Sequence, residues 1–165
     1  MSETAEFVVR AVLIGIGATV VMDIWTEVRK RVFNASSLDY ALVGRWLGHL
    51  THGQIAHERI AKAPPIAGEG AIGWTAHYAI GIAFAALLLA VAGLDWARAP
   101  SPLPALVVGL ATIVAPFFVL QPALGAGFAA SKTPNPTRAR LQSAVTHTVF
   151  GIGLYVSALL VAALI

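Results

Sequence analysis

The sequence predicts an all-α integral membrane protein of four transmembrane helices, and three observations predict it. Of 165 residues, 58% are hydrophobic and 12% charged, with a mean hydropathy of +0.77, against about 45–50% apolar and about 25% charged in soluble domains. Four separate stretches are long and apolar enough to cross a bilayer, which takes about 20 helical residues whose amides all bond within the segment. Lys and Arg are shared so unevenly between the connecting loops that they set a direction. A soluble fold of this length would need more polar residues to cover its surface. Lipid is therefore the expected solvent, and the bilayer the expected partner.

The first span is expected from Glu6 to Val28. Its flank carries Glu3 and Glu6 in place of basic residues, and Asp23-Ile24-Trp25 stands where a cleavage site would need small side chains, so this helix is expected to be retained rather than removed as a signal peptide. A long loop over residues 29–70 follows, in which Ser36 and Asp39 have capping-box spacing ahead of a short helix. Leu38, Leu42, Trp46 and Leu50 recur every fourth residue as an apolar stripe, leaving Asp39, Arg45 and His49 to face water. That pattern suits an interfacial helix on the membrane surface or over the bundle mouth, with a plain connector as the alternative. Pro64 and Pro65 end any helix there. The remaining spans are expected over residues 71–94, 103–126 and 141–165, giving one membrane domain over 1–165.

Arg29, Lys30, Arg31, Arg45, Arg59 and Lys62 lie between spans one and two, and Lys132, Arg138 and Arg140 between spans three and four. Only Arg10 and Arg98 lie on the other side, Arg10 being expected to snorkel. The bias puts both basic loops in the cytoplasm and both termini outside, as in a multi-pass protein of a bacterial inner membrane. Trp25, Trp46, Trp74 and Trp96 all fall at expected interfaces. The two hairpins also resemble one another. His77 stands four residues before Gly81 as His147 does before Gly151, and Ala18-Thr19 parallels Ala111-Thr112. Two hairpins of the same direction would form a parallel repeat, with chance likeness between apolar helices as the alternative.

Polar residues inside spans are costly, and each is a candidate for function. Asp23, His77, Gln121 and His147 all fall roughly 7 to 11 Å from the bilayer centre on the cytoplasmic side, counting 1.5 Å per residue. Thr19, Asp23 and Thr26 form a stripe at i, i+4 and i+7, and Tyr78 follows His77. Glycines one turn from the histidines would let helices approach closely. Pro116 and Pro122 withhold amides around Gln121, freeing carbonyls. The candidate binding pocket is thus Asp23, His77, Gln121 and His147 with Thr19, Thr26 and Tyr78. The competing reading makes the histidines interhelical glue and the tyrosines, Tyr78 and Tyr155, packing. Glu27 reads best as a headgroup-level pair with Arg31.

Other chemistries are excluded or weakened. The chain has no cysteine, which removes disulfides, thiolate metal sites and iron–sulfur clusters. A net charge of +3 is not gathered into a stripe, so no nucleic acid is expected. His49, His52 and His57 match no zinc spacing and read as a solvated loop. No phosphate loop, dinucleotide fingerprint, nucleophile elbow or zinc-protease motif occurs.

Gly17-Ala18-Thr19 with Met22-Asp23 and Trp25, Leu38 through Trp46, His77-Tyr78-Ala79-Ile80-Gly81, Gln121-Pro122, Thr133-Pro134-Asn135-Pro136 and His147 together resemble an uncharacterised bacterial membrane family, domain of unknown function 2938. The resemblance covers nearly the whole chain. It implies four spans and carries no activity, substrate or cofactor. From the residues, the leading expectation is a protein that binds or transports a cation, proton or small polar solute, with a homo-oligomer supplying the volume that four helices lack. One alternative is an enzyme acting on a lipid or prenyl substrate, with Asp23 and a histidine as acid and base. Another places a metal or haem between His77 and His147.

Overall fold

The computed structural model describes residues 1–35 and 37–165, and these are helical without a strand. Four helical stretches are long and apolar enough to cross a membrane: Glu3–Phe33, Glu69–Arg98, Pro102–Leu124 and Pro136–Leu164. They agree with the expected spans but run past several of their ends. The first, α1, has 31 residues, or about 46 Å at 1.5 Å each, against a hydrocarbon core of about 30 Å. Its ends are set by local chemistry rather than hydropathy. The Ser2 hydroxyl accepts the Ala5 amide, Lys30 and Arg31 lie in the last turn, and Asn34 leaves the helix with φ 49°. The Glu27–Arg31 pair forms at 2.7 Å and is exposed, so it contributes little.

A short helix, α2 (Tyr40–Leu50), opens with the Asp39 carboxylate accepting the Ala41 amide. Ser36, the other half of the expected capping box, lies outside the described residues. Next comes α3 (Glu69–Arg98), which bends at Gly93, where φ 83° and ψ 166° favour a residue without Cβ. The third span is not one helix. It consists of α4 (Pro102–Ala111), a turn at Thr112 and Ile113, a π-helical segment (Pro116–Leu120) and α5 (Gln121–Leu124). Pro116 and Pro122 have no amide hydrogen to keep the usual ladder, which instead reaches from the Gln121 N–H to the Pro116 carbonyl. The last helix, α6 (Pro136–Leu164), starts on a proline, with the Asn135 side chain accepting the Arg138 amide at 3.0 Å.

The chain forms two compact units. The first takes Met1–Ser36, Tyr78–Thr112 and Val145–Ile165. Its core is small and interlocking: Ala11, Ile14, Ala18, Ala85, Leu88, Leu154 and Ala158 meet with almost no exposure. Small residues are what permits this approach. A Cβ on Gly81 would strike the Thr19 hydroxyl, and one on Gly151 would sit 3.0 Å from the Ala105 carbonyl oxygen. Between 22 and 39% of each span's apolar window is buried inside the protein. Side chains such as Ile24, Val91 and Leu160 project outward, as lipid-facing positions do.

The second unit takes Ser37–His77 and Ile113–Ala144. Here α2 lies against the first turns of α3 at backbone contact, since a Cβ on Gly44 would collide with the Glu69 carbonyl and one on Gly73 with the Tyr40 carbonyl. The face that α2 turns inward is not the expected one. Arg45 and His49, read from the sequence as water-facing, are directed into the protein. Leu50 and Leu38, from the expected apolar stripe, are exposed. The reason is hydrogen bonding: the loop after α2 offers the Ala63 and Pro64 carbonyls, which these two side chains reach.

Candidate functional site

Two polar nodes are built by residues of the long apolar helices. In the first unit, α1 and α3 meet at Asp23, whose carboxylate accepts a hydrogen bond from the Tyr78 hydroxyl at 3.0 Å. One turn earlier the Thr19 hydroxyl donates to the Gly15 carbonyl at 2.8 Å and packs on Gly81. Thr26 is half-buried on the same helix. Tyr78 is thus more than packing, because its hydroxyl donates to that carboxylate.

The second node joins α4 and α6 in the same unit. His147 Nδ1 lies 2.9 Å from the Thr112 hydroxyl and 3.3 Å from the Gly109 carbonyl. Thr112 itself donates to Gly109 at 2.6 Å. A hydroxyl whose hydrogen is committed, and a carbonyl that can only accept, leave His147 Nδ1 as the donor. In the neutral ring Nε2 then carries the lone pair. Thr19 and Thr112 each donate to a backbone carbonyl of the preceding turn, at four and three residues' distance.

His77 and Gln121 belong to the second unit. His77 stacks on Tyr40, with ring centroids 4.1 Å apart, and meets Trp74 edge-on at 5.7 Å. An aromatic neighbourhood of this kind is not legible from one span, because Tyr40 comes from α2. The Gln121 Oε1 atom is buried and has no hydrogen-bond partner among the described residues. Among the described residues no group of three or more His, Asp or Glu side chains is arranged to hold a metal ion.

Two groupings lay outside the sequence reading. Arg10 does not snorkel. It is 3% exposed, donates to the Glu6 carboxylate at 2.9 Å and reaches the Ala97 carbonyl at 3.0 Å. Arg98 grips the same carboxylate at 2.7 and 3.0 Å, so the last turn of α3, beyond the Gly93 bend, is tied to the start of α1. In the second unit, Arg45 forks onto Glu69 at 2.7 and 2.9 Å and donates to the Ala63 carbonyl at 3.0 Å. That hydrogen-bonded carboxylate raises the Arg45 pKa, keeping it charged throughout the working range. Glu69 also accepts the Ile66 amide at 3.1 Å, capping α3. The loop histidines are not solvated as a set: His57 is buried and its ring meets that of His49. The tryptophans also divide. Trp46 and Trp96 donate to the Ile55 and Ser101 carbonyls, while Trp25 Nε1 is buried without a hydrogen-bond partner among the described residues. Trp74 alone of the four is largely exposed.

These features define an all-helical protein whose four long apolar helices suit a membrane and whose buried polar groups are gathered at a few helix contacts. The chain matches the family described as "Protein of unknown function (DUF2938)" over residues 12–161, and it belongs to that family. No curated protein and no solved structure matches it.

Proposed function

We propose that this chain is a multi-pass protein of the bacterial inner membrane that binds a proton or small cation within its helices and passes it across. The observation that carries the reading is the His147 clamp. Thr112 and Gly109 hold Nδ1–H in place, which presents the Nε2 lone pair as a fixed acceptor inside an apolar helix. Asp23, with its carboxylate already hydrogen-bonded by Tyr78, is a second acceptor in the same unit. Thr19 and Thr26 are further polar positions of that unit, and His77 and Gln121 are polar positions of the second unit. Both basic loops lie in the cytoplasm and both termini outside, by the nine-to-two division of Lys and Arg. The like spacing of His77 with Gly81 and of His147 with Gly151, each glycine packed against the preceding span, supports a parallel repeat of two hairpins, and α2 supports an interfacial helix with exposed Leu38 and Leu50 toward lipid. Two copies of the chain make the working unit.

The test is proton flux into proteoliposomes carrying an entrapped pH dye, under an imposed potassium diffusion potential. Wild-type protein should acidify or alkalinise the lumen according to the potential's sign, and His147→Gln and Asp23→Asn should fall to the protein-free rate. Wild-type protein no faster than empty liposomes, or both variants as fast as wild type, would sink the proposal.

A further inference from the structure

Between Thr51 and Arg59 every residue is exposed except His57, which is 8% accessible. This strap closes on the end of α5. The His57 amide donates to the Ala123 carbonyl at 2.9 Å, and the His57 and Glu58 carbonyls back onto Gly125, where φ is 95° and a Cβ would not fit. One buried side chain of the strap's own therefore holds it down.

The protonation pattern of that side chain follows from its partners. The Pro64 carbonyl can only accept, so His49 Nε2 carries a hydrogen and donates to it at 3.0 Å. Neutral His49 then offers the Nδ1 lone pair, to which His57 Nε2–H donates at 2.8 Å. His57 Nδ1 is left as a second lone pair, buried and without a partner among the described residues.

We propose that the His49–His57 pair is a proton-binding site and that loading it releases the 51–59 strap from the end of α5. An added proton has two places to go. On His57 Nδ1 it makes a buried cationic N–H with nothing to receive it; on His49 Nδ1 it sets two N–H groups against each other across the 2.8 Å contact. Both are costly in the closed strap and relieved in the open one. Histidine is also the side chain whose charge changes between about pH 5 and 8.

The charged neighbours do not cancel this. On α2, Arg45 lies one turn before His49, with Asp39 at the helix start. On α3, Glu69 acts on His49 but is already bonded by Arg45. On the strap and just after it, His52, Glu58, Arg59 and Lys62 are exposed, and α5 carries no ionisable residue. The Arg45–Glu69 pair holds residues 60–63 in place, so the hinge lies next to Ile60, itself buried. Opening uncovers Ala123 and the stretch that bears Gln121. The latch operates whether or not a proton also crosses at His147.

The cysteine-free chain makes this measurable. Single-cysteine proteins carrying Ala123→Cys, under the strap, and Ser131→Cys, an exposed reference, are labelled with a maleimide in lipid nanodiscs. The ratio of their rates should rise as the pH falls from about 8 to about 5.5, by up to about tenfold per pH unit for one linked proton. In a His57→Gln background the ratio should be the same at both ends. Trypsin cleavage after Arg59, relative to that after Arg138, reads the same opening without any cysteine. A flat ratio in the parent, or an undiminished pH response in His57→Gln, would overturn the proposal.

Discussion

A single buried cation tests how the apolar core tolerates charge. Arg10 is buried at 3% exposure and relies on Glu6, which also holds Arg98. Glu6→Gln should lower the Tm in detergent well below that of Asp95→Asn, because Asp95 is fully exposed and holds only Arg98. Adding Arg10→Met to Glu6→Gln should recover much of the loss, since removing both partners leaves no buried charge unpaired. Thermal unfolding followed by tryptophan fluorescence decides between these outcomes. At the His147 node, Thr112→Val keeps the side-chain shape but removes the nearer of the two acceptors of His147 Nδ1–H, leaving the Gly109 carbonyl at 3.3 Å. It should cost about 1 kcal/mol of stability by denaturant titration. The Glu6–Arg10 spacing is helical and legible, but the contacts of Glu6 with Arg98, of Arg10 with the Ala97 carbonyl and of Thr112 with His147 are not. Arg10 and Arg98 are 88 positions apart, and the basic residue near a span's end suggested snorkelling because hydropathy says nothing of an acceptor contributed by another helix.

At the scale of elements, α2 rests on α3 through two glycines with no room to spare. Gly44→Leu should strain that contact by about 1–3 kcal/mol and shift Trp74 and Trp46 emission, whereas Gly70→Ala, one turn away in open space, should be neutral or stabilising by about 0.5–1 kcal/mol. Chemical denaturation of the two variants compares them directly. The existence of α2 was legible from its four-residue period and from Asp39. Its facing was not, because periodicity locates a helix without identifying its neighbours, and here Ile60, Ala63 and Pro64 carbonyls draw Arg45 and His49 inward. The third span shows the same division. Pro116 and Pro122 announced freed carbonyls, while the π-helical shift that follows from them depends on how the whole stretch is packed.

For the molecule as a whole, the outward-facing apolar surface of four spans governs behaviour. The protein should be extracted only by detergent, and it should aggregate when detergent is removed during size-exclusion chromatography. A monodisperse peak in plain buffer would refute insertion. Sidedness is open to the same cysteine-free background: with Ser131→Cys and Ser101→Cys in intact cells, a membrane-impermeant maleimide should label only Ser101→Cys. By itself, the sequence determined how many helices are long and apolar enough to span a membrane, roughly where they lie and which polar residues they carry, because each of those is a property of one continuous segment. Only the tertiary structure decided that Tyr78 serves Asp23, that Thr112 fixes the His147 tautomer, and that His57 is buried against His49. Each of those depends on a donor and an acceptor from distant parts of the chain coming within about 3 Å, a distance that no spacing along the sequence encodes.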